Sequence, residues 1–195
     1  MPRIVIIGVG ALGSHVLLFS RNLAVDFRLV DFDRIEAKNE KSQFHTKMGR
    51  GKNKVQAVAQ AMQGMFGLKV NDLVPHRLTA DNVSKLLGDA DLVVDCVDNG
   101  ETRKLIQDFV RANSIPCVHG GLSADGLFGV VRWDEEFTIS YAVPGTPTCE
   151  DGDHLPLIAL ASAALAEAIK GFMADGPKHN ASIQPGAVQK YILRD

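Results

Sequence analysis

Gly8, Gly10 and Gly13 form a Gly-x-Gly-x-x-Gly turn directly after an apolar run at residues 4–7. A second apolar run, residues 27–30, ends in Asp31-Phe32-Asp33. A strand, a glycine turn, a helix and a second strand ending in an acid make a nucleotide-binding βαβ unit. One glycine allows the tight turn, one lets the backbone approach a phosphate, and one lets the helix pack close to the strand. The helix N-terminus offers free N–H groups to phosphates, and Asp31 is placed to accept from a ribose hydroxyl. Four further features surround this unit. Asp33, which either contacts the nucleotide or caps the loop, leads through a charged stretch to Asn39 and Gln43. Gly51-Lys52-Asn53-Lys54 opens a helix. Asp98-Asn99 follows a third apolar run, with Arg103 on the helix after it. Gly120-Gly121 follows a fourth. A lysine and a carboxylate beside a phosphate turn suit nucleotidyl transfer better than hydride transfer. The Lys54 cation would neutralise charge building on phosphoryl oxygens. The Asp98 carboxylate would hold Mg²⁺, and Asn39 and Gln43 can position or polarise an α-phosphate.

The elements that must deliver these groups alternate strand with helix. This predicts an α/β fold, Rossmann-like and doubly wound, with a mostly parallel sheet and ligands at its carboxyl edge. The spacing predicts a first helix over 12–23, with Leu12, Val16, Phe19 and Leu23 on one face. Further helices are expected over 53–66, 81–87, 101–112 and 155–173. Further strands are expected over 69–74, 92–97 and 115–118. Residues 33–51 form an unusually long polar connection, and such loops are often functional. Residues 127–133 and 137–141 flank Asp134-Glu135-Glu136, which predicts a hairpin and an antiparallel C-terminal side to the sheet. Residues 175–186 read as loop and 187–193 as a final strand. The 195 residues suit a single domain.

Composition narrows the field. Hydrophobic residues make up 46%, enough for a packed core, and the net charge of -2 disfavours non-specific binding to nucleic acid or an anionic membrane. No signal peptide is visible, and the apolar stretch at 155–169 reads as a buried helix rather than a span. Three cysteines without pairing spacing suggest a reducing cytoplasm. Cys96 and Cys117 read as small core residues. Cys149 is either a nucleophile on a crossover loop or an ordinary loop cysteine. His119 either touches substrate or is a satisfied structural histidine. His45, in the charged loop, reads as solvated. Arg103 pairs structurally with Asp98 or Asp95, or acts.

The stretches GVGALGS, VDFDRIEAKN, GKNKVQAV, VVDCVDNGETR and IPCVHGG resemble, in order and spacing, the MoeB/ThiF/HesA family, relatives of ubiquitin-activating enzymes. The resemblance spans residues 4 to about 129. It implies Mg-ATP-dependent adenylation of a C-terminal carboxylate, usually on a ubiquitin-like or sulfur-carrier protein ending in Gly-Gly. It further implies that Asp31 binds the ribose, that Asn39, Gln43 and Lys54 contact the phosphates, and that Asp98 holds Mg²⁺. A homodimer, or pairing with a related subunit, is also implied.

Three departures stand out. Ser42 occupies the place before Gln43 where the family has an arginine, leaving Lys41, Arg50 or Lys52 as substitutes. The family's helical segment before the first strand is not seen. Three cysteines cannot supply the two Cys-x-x-Cys pairs of a structural zinc site. Two alternatives to adenylation remain: a non-catalytic partner subunit that keeps the fold, and an NAD-dependent oxidoreductase, which Asp31 permits.

Overall fold

The computed structural model describes residues 1–139 and 152–192. Eight strands form one sheet in the order β3-β2-β1-β4-β5-β6-β7-β8. They are β1 (Arg3–Ile7), β2 (Asp26–Val30), β3 (Asp72–Val74), β4 (Leu92–Asp95), β5 (Cys117–Leu122), β6 (Gly129–Trp133), β7 (His179–Gln184) and β8 (Ala187–Ile192). The first five run parallel, and β5 to β8 pair antiparallel. The helices are α1 (Ala11–Ser20), α2 (Lys54–Phe66), α3 (Val83–Leu87), α4 (Gly100–Ala112) and α5 (Leu155–Met173).

Strand β1 is apolar on both faces because helices cover both. Ile4 and Ile6 join the core built with α1, α2 and α5, while Val5 and Ile7 join the core with α3 and α4. β1 lies between β2 and β4, so the chain reverses its winding there. The crevice at the carboxyl end of β1 is the switch point where ligands bind in such sheets. α5 is the one described helix long and apolar enough to cross a membrane. Leu157, Ile158, Ala161, Leu165 and Ile169 are buried, and most of them belong to the same core as α1, which makes it a core helix.

Several elements differ from expectation. α1 stops at Ser20, and Phe19 is exposed. The expected hairpin is replaced. β6 pairs with β5 and β7, and Asp134–Glu136 is a 3-10 turn. The ring of Phe137 stacks on His119 at 4.1 Å, and the outer part of the expected second strand, residues 140–141, lies outside the described residues. The expected loop at 175–186 contains β7, which turns into β8 through Gly186 at φ +79. Gly120 and Gly121 lie within β5 rather than after it.

A buried polar network joins the two halves of the sheet. His119 Nδ1 lies 2.7 Å from Asp95 Oδ2 on β4, and its Nε2 lies 3.1 Å from Asp134 Oδ1. Gln107 and Arg111 of α4 donate to the same Asp134 carboxylate, and Arg103 pairs with Asp95 at 3.2 Å. His119 is therefore a structural histidine. Burial opposes its charge, but the Cys117 sulfur and the Asp134 and Asp95 carboxylates outweigh burial and push its pKa up to about 11. Burial opposes the Asp134 charge as well, yet His119, Arg111 and Gln107 hold its pKa down to about 2.

Two expectations follow from this packing. A Cβ on Gly13 would lie 1.9 Å from Gly8 O, whereas one on Gly64, exposed in α2, meets nothing. Gly13→Ala should destabilise the fold by about 1–3 kcal/mol through overpacking. Gly64→Ala should stabilise it by roughly 0.5–1 kcal/mol. Paired denaturant melts read both. The second concerns pH. His119 is raised above its usual 6.5, so its contribution is complete below that pH and is lost as pH climbs toward 11. Asp134 is lowered from 3.8, so its contribution is lost only as pH falls below that value. Unfolding free energy should therefore decline above pH 6.5 with a slope of up to about 1.4 kcal/mol per unit. His119→Gln should flatten the decline, and an unchanged slope in that variant would refute the network's role.

Candidate functional site

The glycine turn is built by close approach. Gly8 has φ +84, and a Cβ there would lie 2.9 Å from Cys96 O and 3.1 Å from Val97 N. The turn therefore abuts the end of β4, and Asp98 follows one residue after Val97. Gly10 caps α1, and its carbonyl accepts from both the amide and the hydroxyl of Ser14.

Asp31, at the end of β2, anchors the turn. Its Oδ2 accepts from Val9 N at 2.7 Å and its Oδ1 from Asp33 N at 2.8 Å. Burial raises its pKa, and the Lys54 charge with the two N–H donors offsets this only in part. Asn53 donates from Nδ2 to the Asp31 carbonyl and accepts from Val55 N, so the residue that caps α2 also ties α2 to β2.

Lys54 arrives by backbone pairing. Arg34 and Asn53 form an isolated antiparallel bridge, and Lys54 N donates to Asp33 O at 2.9 Å. The side chain is buried, and Nζ lies 3.0 Å from Asp33 Oδ2. Asp33 is thus the partner of Lys54. The long connection is an ordered structure with two 3-10 turns, Ala37–Lys41 and Lys47–Gly49. Asn39 is buried, and its Oδ1 accepts from Glu36 N in a capping box. Gln43 is buried beside the glycine turn. Its Nε2 lies 3.9 Å from where a Gly10 Cβ would sit, and its Oε1 has no partner. Ser42 is buried as well. Of the expected substitutes for an arginine there, Arg50 pairs with Glu40 and Lys52 donates to Gln60.

Asp98 is exposed, between β4 and the Asn99 cap of α4. Asn99 Oδ1 accepts from Glu101 N and Thr102 N. Arg103 steadies this turn by donating to the carbonyls of Val97 and Gly120 while paired with Asp95. The parallel strand order puts Lys54 on the β2 side of the glycine turn and Asp98 on the β4 side. Among the described residues no group of three His, Cys, Asp or Glu side chains could hold a metal alone. A single exposed carboxylate fits Mg²⁺ shared with phosphate oxygens. Cys149 lies outside the described residues. Cys96 is shielded and Cys117 buried, and burial pushes both thiols up.

His45 corrects the sequence reading. It is 7% exposed rather than solvated, and its Nε2 lies 2.9 Å from Val9 O. Burial, aided by the Lys54 and His15 charges, lowers its pKa to about 4 despite the Val9 bond. Ser14 was also missed. Its hydroxyl accepts from Phe44 N at 2.9 Å, a second staple from the long connection to the turn. Asn53 carried a signal, since an asparagine before a helix is a cap. A histidine in a charged loop carries none.

The ThiF family model matches residues 2–175. The chain is 30% identical over 180 residues to the adenylyltransferase and sulfurtransferase UBA4 of Meyerozyma guilliermondii, covering 86% of this chain and 42% of that protein. It is 31% identical over 152 residues to the sulfur carrier protein ThiS adenylyltransferase of Bacillus subtilis, covering 75% and 42%. The chain thus spans under half the length of these curated relatives. The crystal structure of E. coli MccB with MccA-N7isoASN superposes with a TM-score of 0.77 at 17% identity, covering 99% of this chain and 64% of that one, and so shares the fold. The glycine turn, its acidic anchor and the match along most of the sequence lead to one conclusion: this chain belongs to the ThiF family.

Proposed function

We propose that this chain binds ATP with Mg²⁺ and adenylates a carboxylate, the C-terminus of a ubiquitin-like or sulfur-carrier protein or of a peptide. The observation that carries the reading is the pair of charged groups flanking the glycine turn, Lys54 on the β2 side and Asp98 on the β4 side. The relatives named as adenylyltransferases support it. Asp31 would accept from the ribose hydroxyls with the lone pairs its two N–H donors leave free. The turn's amides and the Gln43 amide would face the phosphates, and Asn39 would hold the loop that carries Gln43. Lys54 would neutralise charge gathering on the phosphoryl oxygens. Asp98 would hold Mg²⁺, which would supply positive charge that eases departure of pyrophosphate. In the reaction the acceptor carboxylate oxygen bonds to the α-phosphorus, the bond from that phosphorus to the bridging oxygen breaks, and pyrophosphate carries the charge away. Cys149 is kept as a candidate for later attack on the adenylate. We further propose one domain, pairing with a second copy or related subunit, and a cytoplasmic setting that suits free thiols.

Isotope exchange between pyrophosphate and ATP, driven by a carrier ending in Gly-Gly, tests this reading. Wild-type chain should exchange label only when Mg²⁺ and a free carboxyl terminus are both present. Lys54→Ala and Asp98→Ala should each lower the rate by roughly 10²–10³-fold. Asp98→Ala should also raise the Mg²⁺ needed for half-maximal rate, while Lys54→Ala should not. Tighter binding of NAD than of ATP would sink the proposal in favour of an oxidoreductase.

A further inference from the structure

The Val9–Gly10 peptide is held from one side only. Its Val9 C=O is taken by His45, while the N–H of the preceding Gly8–Val9 peptide is taken by Asp31. Because His45 meets a carbonyl, its Nε2 must carry the proton and donate, which leaves Nδ1 a bare acceptor. That Nδ1 is buried and has no partner, as does the neighbouring Gln43 Oε1. Two buried acceptors left unsatisfied are costly. An arrangement that keeps them needs a reason.

The peptide geometry supplies one. No peptide bond in the described chain is cis. In a trans peptide the C=O and the following N–H point in opposite directions. Fixing Val9 O toward His45 therefore turns the Gly10 N–H the other way, outward from the loop, and that N–H has no acceptor among the described residues. Gly10, lacking a Cβ and standing ahead of α1, would otherwise let this peptide rotate.

We propose that His45 is a positioning residue that aims the Gly10 amide of the glycine turn at a nucleotide phosphate. This deepens the ATP reading above and rests on it. His45 touches no ligand and acts through the Val9 carbonyl. Ser14, receiving the Phe44 amide, holds the same loop against α1 so that the histidine arrives in register. The ionisable groups that act on it are Lys54 and His15. Burial among them keeps the ring neutral across the physiological range, so the donor persists. The effect should fall on phosphates and spare the nucleoside, because Asp31 and the ribose contacts do not pass through His45.

Binding of ATP, ADP and adenosine to the full chain, followed by calorimetry, tests this. His45→Leu should weaken ATP and ADP by about 10-fold, the value of one well-placed hydrogen bond, and leave adenosine within about 2-fold. His45→Gln, whose amide nitrogen reaches the Nε2 position, should recover most of the loss, whereas the shorter His45→Asn should not. Should His45→Leu fail to fold, the Gln and Asn variants decide between themselves. Equal weakening of all three ligands would reduce His45 to a merely structural group, and unchanged ATP binding in Leu and Asn variants would overturn the proposal. Failure of wild-type chain to bind ATP at all would instead remove the nucleotide reading beneath it.

Discussion

The carboxylate of Asp31 is the constraint on which the site is assembled. It sits at the end of β2, almost out of water, where an unpaired charge would be expensive. Its two oxygens are met by amides from separate segments, Val9 in the glycine turn and Asp33 in the outgoing loop. Its own carbonyl is met by Asn53 at the head of α2. One residue therefore gathers three stretches of chain that are distant in sequence. Loss of the charge would release the glycine turn from β2 and, under the ATP reading, would also remove the proposed acceptor for the ribose.

The antiparallel half of the sheet supports the parallel half from behind. A Cβ on Gly120 would lie 2.9 Å from a methyl of Leu165 in α5 and 3.2 Å from one of Leu12 in α1. A glycine in β5 thus lets α5 and α1 seat together on the strand. Ser162 of α5 also bonds to the Leu12 carbonyl at 3.4 Å. The helix that begins at the glycine turn is braced along its length by α5. On the other face, Asp95, Arg103, His119 and Asp134 tie the β4–α4 turn to β5 and the 3-10 turn after β6. Asp98 is carried on a turn with rigid neighbours while its own side chain stays in solvent.

The parallel half was legible because its signals are local. An apolar run buried on both faces, a glycine turn and a following acid need only adjacent residues to be recognised, and β1, α1, β2 and β4 lie near their expected places. β7 was missed because its core-facing residues are few. Ala181 and Ile183 face the core, while Asn180 is buried for its bond to Trp133 N. A polar strand paid for by a cross-strand hydrogen bond looks like a loop in sequence. The same holds for residues 33–51. Asn39, Ser42, Gln43 and His45 are polar yet buried; Asn39 satisfies the Glu36 amide of its own cap, and His45 meets the Val9 carbonyl of the glycine turn. Polarity reported solvent where the real cause was a backbone to be held. Phe19 and Phe66 err in the opposite sense. Each belongs to an apolar stripe of its helix yet is partly in water, and the Arg21 guanidinium lies over the Phe66 ring at 4.7 Å.

The resting partner of Lys54 bears on how the site would work under the adenylation reading. Its ammonium is buried, yet Asp33 is about half in water, with its side chain 47% exposed. A pair with one solvated member contributes at most about 1 kcal/mol. Asp33 therefore orients the Lys54 ammonium without holding it strongly. A triphosphate brings more negative charge than one carboxylate, and in a closed crevice that charge is less screened. The exchange of Asp33 for phosphate then runs downhill with no reorganisation of the main chain, because Lys54 N is already fixed to Asp33 O. Arginine in place of Ser42 would add a second fixed cation. Without it, under that reading, neutralisation would fall on Lys54, on Mg²⁺ at Asp98 and on the amides that the loop is proposed to aim. That is the setting in which the direction of a single glycine N–H matters most.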